Sequence, residues 1–261
     1  MNDDQLVIHN PWQALRRFTN ARIALGRAGD SLPTGEMLAF QLDHARARDA
    51  VHEPFDSDSL AVQLRLQGFE VIRLHSAASD RNIYLKRPDL GRRLSEASRK
   101  VLEERAAQSD ETYDAAFVIA DGLSALAVHL HAVSLFTLTA AALQGVGWRI
   151  APVVIANQGR VALGDEIGQL LRATQVAMLI GERPGLSVAD SLGVYLTYAP
   201  PPGRTDADRN CISNIHPHGL SYVAAQQTLV YLMSEARRQK LTGVALKDDR
   251  AERDSTAHLI E

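Results

Sequence analysis

The chain has 261 residues, 46% of them hydrophobic and 23% charged, with a formal net charge of −3, enough to bury a full core in one or two domains. A sequence pI of about 6.3 offers no general attraction for nucleic acid or an anionic membrane, and neither is expected as a partner. A single cysteine excludes an intrachain disulfide and a thiolate-rich zinc site, and it fits a reducing cytoplasm. Met1 to Gln5 lack the basic start and apolar core of a signal peptide. No segment is read as approaching the roughly 20 apolar residues of a bilayer span, so a soluble intracellular chain is expected.

Residues 1–56 read as a helical region. Asn10-Pro11 is a cap with proline at the first helical position, followed by Trp12, Leu15 and Phe18 at helical spacing. Ser31 to Thr34 opens a second helix with Glu36 in its first turn. Leu38, Leu42 and Ala45 form a stripe on it that must pack against something. The opposite face, with Asp43, His44, Arg46, Arg48 and Asp49, is either solvated or a partner surface. Pro54 ends this helix.

Residues 57–261 read as an α/β domain. A short helix over 57–67 stops at Gly68, and Phe69 to Leu74 alternates as a strand. Asp89 is placed as the N-cap of a helix bearing Leu90, Leu94, Ala97 and Val101. The basic cluster Lys86, Arg87, Arg92 and Arg93 near that helix start either holds phosphate or is solvated. Strands then follow at Ala115 to Ala120, Trp148 to Ala156, Val176 to Ile180 and Leu192 to Tyr198. Between them lie a long helix with Leu126, Leu130, Val133 and Phe136, closed by Gly145 and Gly147, and a short one over Asp165 to Arg172. A last helix carries Val223, Leu229, Val230 and Met233, and the tail after Lys247 is charged and frayed. Alternating strands and helices predict a Rossmann-like parallel sheet flanked by helices.

The residues by themselves show a binding domain without a catalytic constellation. G-x-G-x-x-G and G-x-x-x-x-G-K-[ST] are both absent, and no histidine–carboxylate cluster has metal spacing. Asp121-Gly122-Leu123-Ser124 could aim backbone N–H groups from a helix start. Cys211 is either a nucleophile served by His216 or His218, as in an α/β hydrolase, or a small buried hydrophobe. Two blocks at strand ends, Ile180 to Leu186 and Arg209 to His216, concentrate glycine, proline and short polar residues. They suggest a main chain shaped for close approach.

These blocks carry a resemblance. Together with Ala24 to Gly29, Leu38 to Asp49, Asp80 to Leu85, Arg87 to Leu94, Asp121 to Ser124 and Gly159 to Val161, they resemble the light (small) subunit of ethanolamine ammonia-lyase, in order and from about residue 10 to about residue 240. The resemblance implies an adenosylcobalamin-dependent carbon–nitrogen lyase of ethanolamine catabolism. A heavy chain, a (β/α)8 barrel, would hold the substrate, and this chain would close over the corrin within a hetero-oligomer. It implies cobalamin contacts at Val161, Glu182 and Cys211, with no catalytic residue and no metal ligand of this chain's own. Val161 would offer apolar surface. Glu182 would accept hydrogen bonds from corrin amides or the nucleotide tail, or else pair with Arg183 or Arg160 and shape the loop. Cys211 would allow close approach. The helical face at Asp43 to Asp49 and the arginines at 87–93 become candidate partner surfaces. D-x-H-x-x-G is absent, so the cofactor is expected base-on. Members of the family often carry a longer N-terminal extension, so the cytoplasm is expected first and a bacterial microcompartment second. Lys86 and the loop Pro200 to Gly203 depart from the family pattern. A cobalamin-binding protein without an enzymatic partner is the remaining alternative.

Overall fold

The computed structural model describes residues 7–250. The expectations for Met1 to Gln5, and for the tail from residue 251 on, lie outside the described residues. Helix α1 spans Thr34–His52, α2 Ser57–Leu66, and strand β1 Val71–His75; a short helix α3 (Arg81–Lys86) and α4 (Glu96–Gln108) follow. Then come β2 (Tyr113–Ala120), α5 (Ala125–Gly145), β3 (Val153–Asn157), α6 (Leu163–Leu170), β4 (Ala173–Gly181), β5 (Leu192–Tyr198), β6 (Asn210–Ile215) and α7 (Tyr222–Gln239).

The six strands form one sheet in the order β1-β3-β2-β4-β5-β6. The first four are parallel neighbours, but β5 runs antiparallel to both β4 and β6. The sheet is therefore mixed, which corrects the expectation of a wholly parallel one. The reason is the length of the connections. A parallel crossover needs a dozen or more residues, usually with a helix, and the segments from Glu182 to Ser191 and from Ala199 to Arg209 contain no α-helix. The Cys211 block is itself the edge strand β6, opposite β5 in register Tyr195↔Cys211.

Alternation along β2 divides the core. Phe117 and Ile119 face α2, α5 and α7 with Leu60, Leu64, Phe136, Leu179 and Met233. Val118 and Ala120 point to the other face, among Leu102, Val154, Ile167 and Met178 from the α4 and α6 side. Side-chain caps set the helix starts: Asp56 Oδ1 accepts from Ser59 N–H (2.9 Å), and Ser124 Oγ from Ala127 N–H (3.2 Å). Gly68, at φ +86°, allows the exit from α2 that a side chain would strain.

Four expectations change. The α4 N-cap is Ser95 rather than Asp89. Leu90–Arg92 forms only a 3-10 turn, because Leu94 N–H is taken by Glu166 Oε2 (2.8 Å) and Gly91 lies under Arg160 and Tyr84 with no room for a side chain. The segment after Asn10 is a 3-10 helix, Gln13–Phe18, with no buried residue. The stripe on α1 finds no cover among the described residues: Leu38 and Leu42 are 59% and 52% exposed. Finally, α5 is 21 residues long and apolar enough to cross a membrane, against the expectation that no segment approaches that length. Its apolar side chains instead fill the core, with Val128, Leu135, Phe136 and Leu143 fully buried.

Candidate functional site

The site starts from the carboxyl ends of β2, β3 and β4. After β2 the chain enters α5 on one face of the sheet, and after β3 it enters α6 on the other. Such a divergence opens a crevice at the strand ends, where ligands of α/β sheets collect. The loops that rim it are tied together by one buried carboxylate. Asp121 Oδ1 accepts from Gly122 N–H and Gly159 N–H (both 3.1 Å), while Oδ2 receives Arg81 Nη1 at 3.3 Å. Burial pushes the Asp121 carboxyl up to about 6, with Arg81 opposing the shift.

The glycines here serve loop-to-loop packing. A Cβ on Gly181 would lie 2.0 Å from Ser124 O, and Gly122 sits at φ +56° against Gly181 O. The N–H groups of the Asp121-to-Ser124 turn are used internally, Leu123 N–H on Gly181 O (2.9 Å) and Ser124 N–H on Asp121 O (3.2 Å). They are not aimed at a ligand.

What remains open is a cleft of about 430 Å³, lined among others by Tyr84, Leu123, Arg160, Val161, Glu182 and Tyr195. Tyr84 is fully buried, its hydroxyl donating to Gly159 O at 3.2 Å, and burial holds the phenol far above its ordinary range. The guanidinium carbons of Arg160 and Arg81 lie 4.3 and 4.8 Å from the Tyr84 ring centre. Arg160 Nη2 donates to Tyr84 O at 3.2 Å, and Arg81 also donates to Val51 O and Gly122 O. Arg160 Nε and Arg81 Nη2 are buried without a hydrogen-bond partner. Of the two, Arg160 lines the cleft; a buried donor of this kind calls for an acceptor, so a ligand edged with amide or phosphate oxygens suits it.

The structure brings two of the three expected contact residues onto this cleft. Val161 is half-buried and presents apolar surface there. Glu182 also lines it, but its carboxylate is engaged by Ser191 Oγ (2.5 Å) and Asn214 N–H (3.3 Å), in place of an ion pair with Arg160 or Arg183. Gly193 is needed below it, since a Cβ there would come within 2.9 Å of Glu182 Oε1. Cys211 does not line the cleft. It stands one strand away on β6, linked to it through Tyr195, which hydrogen-bonds the thiol.

Cys211 keeps solvent access, and partial desolvation pushes its thiol up, the reverse of an activated nucleophile. His216 is bound at one ring nitrogen by Asn214 Oδ1 (2.8 Å) and at the other by His218 N–H (3.3 Å), so it is occupied elsewhere. Among the described residues no group of three or more histidine, cysteine and carboxylate side chains is placed to hold a metal ion.

Sequence reasoning missed Arg81, Tyr84, Asp121 and Tyr195 as members of the site. A half-buried arginine has no periodic signature, and these four come from two elements, α3 and β5, and a turn after β2, far apart in the chain. Only Arg160 had a usable signal, its position beside Val161.

Residues 9–247 match the family model "Ethanolamine ammonia-lyase light chain (EutC)". The ethanolamine ammonia-lyase small subunit of Ralstonia nicotianae is 58% identical over 242 residues, covering 93% of this chain and 90% of that one. That of Pseudomonas putida KT2440 is 59% identical over 240 residues, covering 92% and 88%. With a matching family model and relatives aligned along almost their full length, this chain belongs to the ethanolamine ammonia-lyase light-chain family.

Proposed function

We propose that this chain is the small subunit of an adenosylcobalamin-dependent ethanolamine ammonia-lyase, working in the cytoplasm and covering one side of the cofactor against a heavy chain that holds ethanolamine. The observation that carries the reading is the cleft at the switch point, where Val161, Glu182 and Arg160, with its unsatisfied buried Nε, converge. When bound, adenosylcobalamin supplies the radical that opens the conversion of ethanolamine to acetaldehyde and ammonia.

This chain's own residues bind and orient. Val161 and Leu123 give apolar contact and exclude water from one wall. Glu182, fixed by Ser191 and Asn214, holds a carboxylate oriented for an amide donor, since a side chain already locked by neighbours loses little entropy on binding. Arg160 donates to acceptor oxygens. Cys211, small and beside Tyr195, meets the cofactor only along the β6 edge. The cofactor is read as base-on, and the absorption spectrum of the bound form distinguishes this from the base-off state.

The test is reconstitution. The isolated chain is expected to show no turnover of ethanolamine, whereas the chain with its heavy chain and adenosylcobalamin forms acetaldehyde and ammonia. Turnover by the isolated chain would sink the proposal. Glu182→Ala is expected to weaken cofactor binding to the complex by about 1–3 kcal/mol in equilibrium dialysis, the cost of leaving buried polar groups unpaired. The hydrolase reading through Cys211 loses ground to the raised thiol and the occupied His216.

A further inference from the structure

A second, larger hollow of about 780 Å³ adjoins the cleft and shares Arg160 and Val161 with it; its other walls include Arg92, Arg93, Glu166 and Arg204. Its arginines are poorly matched by free carboxylates. Glu166, 7% exposed, is committed to Arg99 and to Leu94 N–H (2.8 Å). Asp89 is taken by Arg87 through two bonds, at 2.9 and 2.8 Å, with Arg93 at 3.9 Å. Asp206 is 94% exposed and lies 3.9 Å from Arg209. Arg204 reaches Asp208 at 3.5 Å and Ala199 O at 3.3 Å.

Two of these side chains keep an unsatisfied buried donor. The Nε atoms of Arg160 and of Arg204, on two separate loops that line the hollow, are both buried and without a hydrogen-bond partner. A guanidinium offers N–H groups in a planar fork, and the group that best satisfies several such forks is a tetrahedral oxyanion. The arginines near residue 90 therefore have a use, but not at a helix N-terminus, since α4 begins only after Ser95.

We infer that Arg160 and Arg204, with Arg92 beside them, form a phosphodiester site, and that its occupant is the phosphodiester of the cofactor's nucleotide tail. The inference rests on the cofactor reading above and adds to it: Val161 at the junction of the two hollows would meet the corrin edge, and the larger hollow would receive the tail. Arg204 belongs to the Pro200-to-Arg204 loop, which thereby gains a role in selecting the complete cofactor over a truncated one.

The experiment uses the complex of this chain with its heavy chain and compares two ligands by equilibrium dialysis: cobalamin, and cobinamide, which lacks the nucleotide and its phosphodiester. Arg204→Gln is expected to weaken cobalamin about tenfold, the worth of one charge-assisted bond, and to leave cobinamide unchanged, whereas Arg160→Gln, which also lines the first cleft, is expected to weaken cobalamin more than cobinamide. Arg204→Lys, which keeps the charge but not the fork, should fall between wild type and Arg204→Gln and guards against a folding defect. Equal weakening of both ligands, or no weakening of either, overturns the inference while leaving the cofactor reading standing. Wild-type complex that binds neither ligand overturns the cofactor reading and this inference with it. A third arm titrates inorganic phosphate without cofactor. A phosphate-induced thermal shift lost in the variants, with cobalamin preference unchanged, would mark a free-anion site and overturn the assignment to the tail.

Discussion

Helices α1 and α5 are nearly the same length, 19 and 21 residues, yet they have opposite fates. α5 lies against the sheet and α7 with eleven buried residues, whereas α1 buries Ala50 alone. Met37, Leu38, Phe40 and Leu42 all remain exposed on α1, and its charges pair locally, Arg22 and Arg46 with Asp43 and Arg48 with Asp49. Helices in proteins draw most of their stability from burying an apolar face rather than from propensity. The contrast teaches that this chain's stability resides in the sheet and its covering helices.

The comparison is broken most severely in the core. Phe136→Ala, in α5 against Phe69 (4.7 Å) and Phe117 (5.2 Å), should cost about 3–5 kcal/mol of stability in urea denaturation. Arg209→Met should cost a similar amount, about 3–5 kcal/mol, because it strands Asp165, 1% exposed and held at 2.6 and 2.7 Å, as an unpaired buried charge. That pair fastens β6 to α6, so the loss should appear as a global fall in the denaturation midpoint with the slope unchanged.

A smaller effect should come from pH. Asp121, pushed up to about 6 from 3.8, keeps its proton in the folded chain at pH values where the unfolded chain has lost it. Stability should therefore fall as pH rises through the window between about 4 and 6 and level off above it. Asp121→Asn retains acceptors for Gly122 and Gly159 and should remove that fall. A denaturation midpoint in Asp121→Asn that tracks the wild type across the window would contradict the assignment.

The smallest effect belongs to α1. Leu42→Ala in the isolated chain should change stability by no more than about 0.5 kcal/mol, as at exposed positions elsewhere. A loss above about 1 kcal/mol would mean that α1 is covered within this chain, and the contrast with α5 would disappear.

Much of the architecture was legible. The run Ala115 to Ala120 is the C-terminal part of β2, Leu192 to Tyr198 is β5 to the residue, and the glycines at 145 and 147 mark the end of α5. The stripe on α1 was misread because spacing shows that a helix has an apolar face and not whether its own chain supplies the cover. The helix start at Asp89 was misread because a good capping residue lost to Glu166, 72 residues away, which claims Leu94 N–H. At the site, Val161 and Glu182 come to line one cleft, while Cys211 is set apart by a strand that antiparallel pairing inserted.

The sequence by itself determined five of the six strands, the long helices and the family to which the chain belongs, because periodicity and long matching blocks are properties of neighbours along the chain. Only the tertiary structure decided the direction of β5 and β6, the burial of Tyr84 and Asp121, and the junction of two hollows at Arg160 and Val161. Those features depend on hydrogen bonds, ion pairs and excluded volume between residues dozens of positions apart, which no local pattern encodes.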